Sequence, residues 1–194
     1  MPLTSLILAS ASPRRAELLR EAGLEFQIVT KGVAETHPEH LAPSEISQLN
    51  AYRKARAVAK GQPDALVLGA DTIVCLGAKV FGKPADLAEA VRTLSSLQGR
   101  THEVITGVCL IHLRAHRQRL FAVRTAVTFR RLHAGQIRRY LGKINPLDKA
   151  GAYAIQEEGD EIVKAISGSY SNVVGLPLEQ LKEELVGFRG LDRK

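Results

Sequence analysis

The chain has 194 residues, a formal net charge of +7, 45% apolar and 24% charged residues. This is an ordinary globular composition, outside the disordered regime, and its length suits one domain or two small lobes sharing a sheet. Aromatics are only 5% with no Trp, so the core rests on Leu, Val, Ile and Ala, and a single-stranded nucleic-acid platform of stacking rings is disfavoured.

Strand-like and helix-like segments alternate, which points to an α/β fold. Leu6–Ala9 reads as a short buried strand, and Ser12-Pro13 opens a helix to about Ala22, stopped by Gly23. The apolar run Leu3–Ala11 carries its charges after it instead of before it, which argues against a targeting segment. Phe26–Thr30 reads as a strand, followed by a polar loop holding Glu35, His37 and His40. Ser44 is placed to cap a helix from about Glu45 to Lys60, with Ile46, Leu49, Ala55 and Val58 along its apolar side.

Ala65–Ala70 is a continuous apolar run, as expected of a strand buried on both faces. It continues through Asp71-Thr72 to Leu76 and turns at Gly77-Ala78. Ala85–Leu97 is helical, and 102–113 pairs with 119–132 as a hairpin. Ala134–Lys143 is a further helix, Ala152–Gln156 and Glu161–Ser167 are strands, and Pro177–Val186 is a final helix whose tail frays after Gly187. With no repeat or linker, the chain reads as one domain.

Cys75 and Cys109 lie in apolar runs without metal-ligand spacing, so they read as buried free thiols of a reducing compartment. No stretch approaches the ~20 apolar residues of a membrane helix. The chain reads as cytoplasmic. Arg114, Arg117, Arg119, Arg124, Arg130, Arg131, Arg138 and Arg139 form a basic stretch without interleaved acids. A solvated hairpin face explains it, and the nucleic-acid alternative lacks any recognition motif.

Three features carry chemistry. In the run from Leu6 to Arg15 a strand, a loop of small residues including Ser10 and Ser12, and a helix start form the geometry in which backbone N–H groups cradle phosphate. Arg14 and Arg15 then stand where the helix dipole disfavours cations. Either they pair with Glu17 and Glu21 or face solvent, or a polyanion docks there. Asp71 interrupts an apolar strand, where an unpaired carboxylate is costly. It is either a satisfied turn residue or a metal-holding or basic carboxylate at a strand end, with Thr72 beside it. Lys54 and Lys83 are candidate phosphate cations, although each alone also reads as a surface lysine. A triphosphate site needs several such cations and a carboxylate-held divalent ion. The absence of GxxxxGK[ST] excludes a P-loop. The Gly- and Ser-rich segments 148–156 and 168–177 read as turns or as loops that approach a ligand.

Taken in order, Leu8–Arg15, Lys54-Ala55, Gly69–Thr72, Gly82–Pro84, Thr106-Gly107, Asp148–Tyr153 and Gly168–Pro177 resemble the Maf family of nucleotide pyrophosphatases. The resemblance spans about residues 5 to 186. It implies a mixed twisted sheet flanked by helices, in two lobes with a catalytic cleft. It also implies hydrolysis of a nucleoside triphosphate to monophosphate and pyrophosphate with Mg²⁺ or Mn²⁺. Asp71 is then the catalytic carboxylate, and Glu35 its partner at the metal. Arg14, Thr72 and Gln156 shape substrate choice, and the segment ending in Ile155-Gln156 implies dTTP and UTP, canonical or modified. Ser10, Ser12, Arg15, Lys54 and Lys83 are expected to bind the substrate. A homodimer is the family-level expectation. The rival reading is a nucleotide-binding regulator of septum formation without turnover.

Overall fold

A computed structural model describes residues 5–190 of the chain. Residues 1–4 and 191–194, which include the start of the apolar Leu3–Ala11 run and the end of the tail expected to fray, lie outside the described residues.

The elements are β1 (Leu6–Leu8), α1 (Pro13–Glu21), β2 (Gln27–Ile28), α2 (Pro43–Ala59), β3 (Leu66–Leu76), β4 (Lys79–Phe81), α3 (Leu87–Leu97), β5 (Thr101–His112), β6 (Arg117–Phe129), α4 (Ala134–Leu141), α5 (Gly159–Ile162), β7 (Val163–Ser167), α6 (Tyr170–Val174) and α7 (Leu178–Gly190). The strands form one seven-stranded mixed sheet in the order β2-β1-β3-β5-β6-β7, with β4 paired to β3. β1 runs parallel to both β2 and β3, whereas β4 and β7 are antiparallel to β3 and β6. No helix among the described residues is long and apolar enough to cross a membrane.

The chain divides into two compact units, and the boundaries fall inside β3, β5 and β6. The first holds the N-terminal segment through Asp71, Thr106–Val123 and the segment from Gly175 onward; the second holds Thr72–Ile105 and Arg124–Val174. The core of the first unit joins Ile7 and Ala9, Val67 of β3, Cys109 and Ile111 of β5, and Ala51, Ala55, Val58 and Ala59 of α2. Small alanines on α2 let its backbone lie close to the strands. In the second unit Val74, Val104, Val127 and Phe129 pack with Leu94 and Leu97 of α3 and Ile137 and Tyr140 of α4.

Several expectations are corrected. Ser44 lies inside α2, whose N-cap is Ala42, because Pro43 takes the first helical position. The Glu45 carboxylate reaches back to accept from the Ala42 N–H at 2.7 Å. Residues 152–156 form no strand. Gly151 and Ala152 both have positive φ, 70° and 61°, which turns the backbone into a short 3-10 segment, Ala150–Ala152. The Gly168–Pro177 segment contains the short helix α6, and α7 runs past Gly187 to Gly190.

Candidate active site

Two glycines set the position of α2 over the strands of the first unit. A Cβ on Gly69 would collide with the Ala51 carbonyl oxygen and stand 2.8 Å from the Ala55 nitrogen. A Cβ on Gly107 would stand 2.5 Å from the Ser47 carbonyl oxygen. Neither glycine is needed for its φ; both are needed because the α2 backbone passes directly over them. Gly69 and Asp71 are two residues apart on β3, so their side positions share one face of the strand. That face is the one α2 covers.

The close approach brings Asp71, 3% exposed, within reach of α2 side chains. Lys54 Nζ donates to Asp71 Oδ1 at 2.6 Å and to Glu35 Oε1 at 2.8 Å. Asn50 Nδ2 donates to Asp71 Oδ2 at 3.2 Å. The buried carboxylate is therefore compensated on both oxygens. Asn50, Arg53 and Lys54 stand at i, i+3 and i+4 on α2, one helix face. Arg53 Nη1 donates to Thr36 Oγ1 at 3.0 Å, so this face also grips the strap that carries Glu35.

Beyond β1, which runs parallel to β3 with Leu8 opposite Leu68, α1 begins at Pro13 with Ser12 as its N-cap. The Ser12 hydroxyl makes no capping bond, and the first turn contains no acid. Instead the Ser12 N–H donates to Ser10 Oγ at 3.3 Å. The two adjacent arginines differ in environment. Arg15 is 9% exposed, and its guanidinium donates to Gly175 O at 2.8 Å and Ser10 Oγ at 3.0 Å. Burial lowers its pKa from the ordinary arginine value, against the opposing fields of the Asp71 and Glu35 carboxylates. Arg14 is half-buried. Arg15, expected to bind the substrate, is thus tied to Ser10 and Gly175 and lies within electrostatic reach of both acids.

Thr72, Lys83 and Gln156 belong to the second unit. Thr72 is half-buried, and Lys83 and Gln156 are exposed. Two of the sequence motifs meet there, because the Gly151 N–H donates to Gly82 O at 3.1 Å. A Cβ on Gly151 would stand 2.9 Å from Val74 Cγ2. The loop leading to Gln156 is organised by Lys149, 4% exposed, which donates to Asn145 O at 2.8 Å and Asp148 Oδ1 at 3.0 Å and pairs with Glu157 at 3.3 Å.

Among the described residues no cluster of three or more His, Cys, Asp and Glu side chains forms a metal cage. Asp71 and Glu35 nevertheless share one cationic group, the Lys54 ammonium, and both offer hard oxygen donors. Two carboxylates of this kind fit a Mg²⁺ or Mn²⁺ ion that takes its remaining ligands from phosphate oxygens and water.

The basic stretch is largely engaged within the protein. Arg114 pairs with Asp64, Arg119 with Glu184 at 2.8 Å, and Arg124 with Glu103 at 3.8 Å. Arg117 donates to the carbonyls of Phe188 and Gly187. Both cysteines are buried and free; burial raises the Cys75 thiol to about 11 and Cys109 to about 12, so both stay protonated and unreactive.

Asn50, Arg53 and Thr36 were missed by reading the sequence. One signal was available for Asn50: it stands four residues after Ile46, inside the apolar side of α2, where a polar residue needs a reason.

The chain is similar to known proteins over nearly its whole length. The model of the family described as Maf-like protein matches residues 5–188. A protein of Moorella thermoacetica named dTTP/UTP pyrophosphatase is 50% identical over 190 residues, 98% of this chain and 97% of its own length. One of Pelotomaculum thermopropionicum with the same name is 46% identical over 186 residues, 96% of this chain and 97% of its own length. Among solved structures, the Ham1 protein of Staphylococcus aureus shares the fold at a TM-score of 0.56 and 15% identity, covering 95% of this chain and 99% of that one. With a family match across nearly all of its residues and relatives at half identity over its length, this chain belongs to the Maf family.

Proposed function

We propose that the protein hydrolyses dTTP and UTP to the monophosphate and pyrophosphate. The observation that carries this reading is the Lys54 ammonium held between the Asp71 and Glu35 carboxylates, with Arg15 in electrostatic reach. Such a mixed group of acids and cations can meet both the charge of a triphosphate and the proton of an attacking water. The substrate follows from the relatives at 46% and 50% identity that carry the name dTTP/UTP pyrophosphatase.

In the proposed reaction, water attacks the α-phosphorus and its proton passes to Asp71. The bond from the α-phosphorus to the oxygen bridging to the β-phosphorus breaks, and pyrophosphate leaves with the electron pair. Asn50 and Lys54 hold the Asp71 carboxylate in one orientation through its two oxygens. The Ser10–Ser12 loop and the start of α1 offer backbone N–H groups to phosphate, and Arg14 adds a cation beside them. Arg15 braces that loop through Ser10 and Gly175. Asp71 and Glu35 would hold Mg²⁺ or Mn²⁺, which neutralises phosphate charge when bound. On the strength of the family motifs, Lys83 is assigned to phosphate, and Thr72 and Gln156 to the choice of substrate with Arg14.

A panel of dTTP, UTP, CTP, 7-methyl-GTP and ITP, each with Mg²⁺ or Mn²⁺, tests the reading. Pyrophosphate and monophosphate should form in equal amounts, fastest from dTTP and UTP. Release of single phosphates, or no turnover of any member, overturns it.

A further inference from the structure

The strongest unassigned feature of the first unit is the amide of Asn50, 1% exposed and used completely. A carboxamide has two N–H donors and two acceptor lone pairs. Here Nδ2 donates to Thr36 O at 3.1 Å and to Asp71 Oδ2 at 3.2 Å. Oδ1 accepts from the Thr36 N–H at 3.0 Å and lies 3.4 Å from Thr36 Oγ1. The side chain thus bonds both backbone groups of Thr36, as a neighbouring strand would, and spends its remaining N–H on the strand carboxylate.

We propose that Asn50 is the positioning residue of the site: it couples the strap carrying Glu35 to the Asp71 carboxylate and keeps Asp71 Oδ1 directed at Lys54. This rests on the pyrophosphatase reading and deepens it. Thr36 directly follows Glu35, so fixing both backbone groups of Thr36 limits where the Glu35 side chain starts. Arg53 adds a second hold on Thr36 from the same helix face. The strap from Thr30 to Pro38 forms no helix or strand of its own, so these side-chain bonds stand in for regular structure. Only a neutral amide fits, because a carboxylate at position 50 would set a second negative oxygen against Asp71 Oδ2, and an aliphatic side chain would leave both Thr36 groups and Oδ2 without these bonds.

Two measurements test this. The first is amide hydrogen exchange on the metal-free protein. In the unaltered chain the Thr36 amide should exchange more slowly than those of Gly32 and His37 in the same strap; equal or faster exchange overturns the proposal whether or not any variant folds. In Asn50→Ser, which adds no charge to the core, Thr36 exchange should rise more than tenfold. The second measurement is steady-state hydrolysis of dTTP by Asn50→Ser. A positioning role lowers kcat by about 10- to 100-fold, with KM within about twofold, because misplaced groups cost rate before affinity. In the folded variant, unchanged Thr36 exchange, unchanged kcat, or a loss confined to KM each overturn the proposal. An unaltered enzyme that fails to hydrolyse dTTP sinks the pyrophosphatase reading instead, and the exchange result still stands or falls by itself.

Discussion

Gly69 lies directly beneath Ala51, so close that a β-carbon on the strand would run into the helix carbonyl. This contact sets the height of α2 above β3, and hence the reach of Asn50 and Lys54 to Asp71. The site depends on a residue that has no side chain.

Gly69→Ala should therefore lower stability by about 2 kcal/mol, the usual range for an added core methyl that backbone must move to admit. Turnover should fall further than the loss of folded protein accounts for, because α2 carries the partners of Asp71. Urea unfolding and dTTP hydrolysis measure the two effects. A stable variant with full activity would show that α2 does not set the site.

Asp71→Asn keeps the shape of the side chain and removes its charge and proton-accepting capacity. Turnover should drop by at least about 10²–10³, the typical cost of losing one group that acts in the transition state. The unfolding midpoint should not collapse. Retention of most of the activity would remove Asp71 from the chemistry.

Lys54→Met leaves the Asp71 and Glu35 carboxylates without the ammonium between them. Removing one partner of a buried ion pair costs about 3–5 kcal/mol. Lys54 and Glu35 are 16% and 32% exposed at their side chains, and solvent reduces this to about 2 kcal/mol. Mg²⁺ should restore stability more in this variant than in the parent, since a divalent ion can replace the lost charge. Thermal unfolding in EDTA and in Mg²⁺ reads this directly; equal Mg²⁺ shifts in both proteins count against these acids as the metal ligands.

Stability should also fall in mild acid because of His102. This ring is 1% exposed, 2.8 Å from the Tyr153 hydroxyl at Nε2 and edge-on to Phe129. Burial lowers its pKa from 6.5 to about 4. The unfolded chain binds the proton first, so stability is full above pH 6.5, is lost as the pH falls from there, and levels off near pH 4. At pH 5, a unit and a half below the unfolded value, the loss is about 2 kcal/mol. Urea titrations at pH 7 and pH 5 should show this drop in the parent and lack that component in His102→Gln. An equal drop in both proteins assigns the acid sensitivity elsewhere.

Much of the fold was legible because burial imposes simple patterns. The unbroken apolar run before Asp71 marked a strand covered on both faces, and β3 is such a strand. Where reading failed, a local exception prevailed. Pro43 moved the start of α2 ahead of Ser44, and paired left-handed residues at Gly151 and Ala152 turned an apolar stretch away from strand geometry. The short β4 and α6 went unread because three to five residues carry too little periodicity.

By itself, the sequence determined which residues break the local rules: a carboxylate in an apolar strand and two arginines at a positive helix end. Those violations can be seen without coordinates because each is costly where it stands. What only the tertiary structure decided is how the violations are compensated. Lys54 turned out to serve Asp71 and Glu35 together, Arg15 to brace Ser10 and Gly175, and Asn50 to join Thr36 to Asp71. Apart from Arg15 and Ser10, which are 5 residues apart, these partners are 14 to 160 residues apart, and nothing in the local sequence encodes such distances. The reason is physical: a buried charge or amide requires a partner, but packing chooses which one, and here the packing rests on the bare backbones of Gly69 and Gly107.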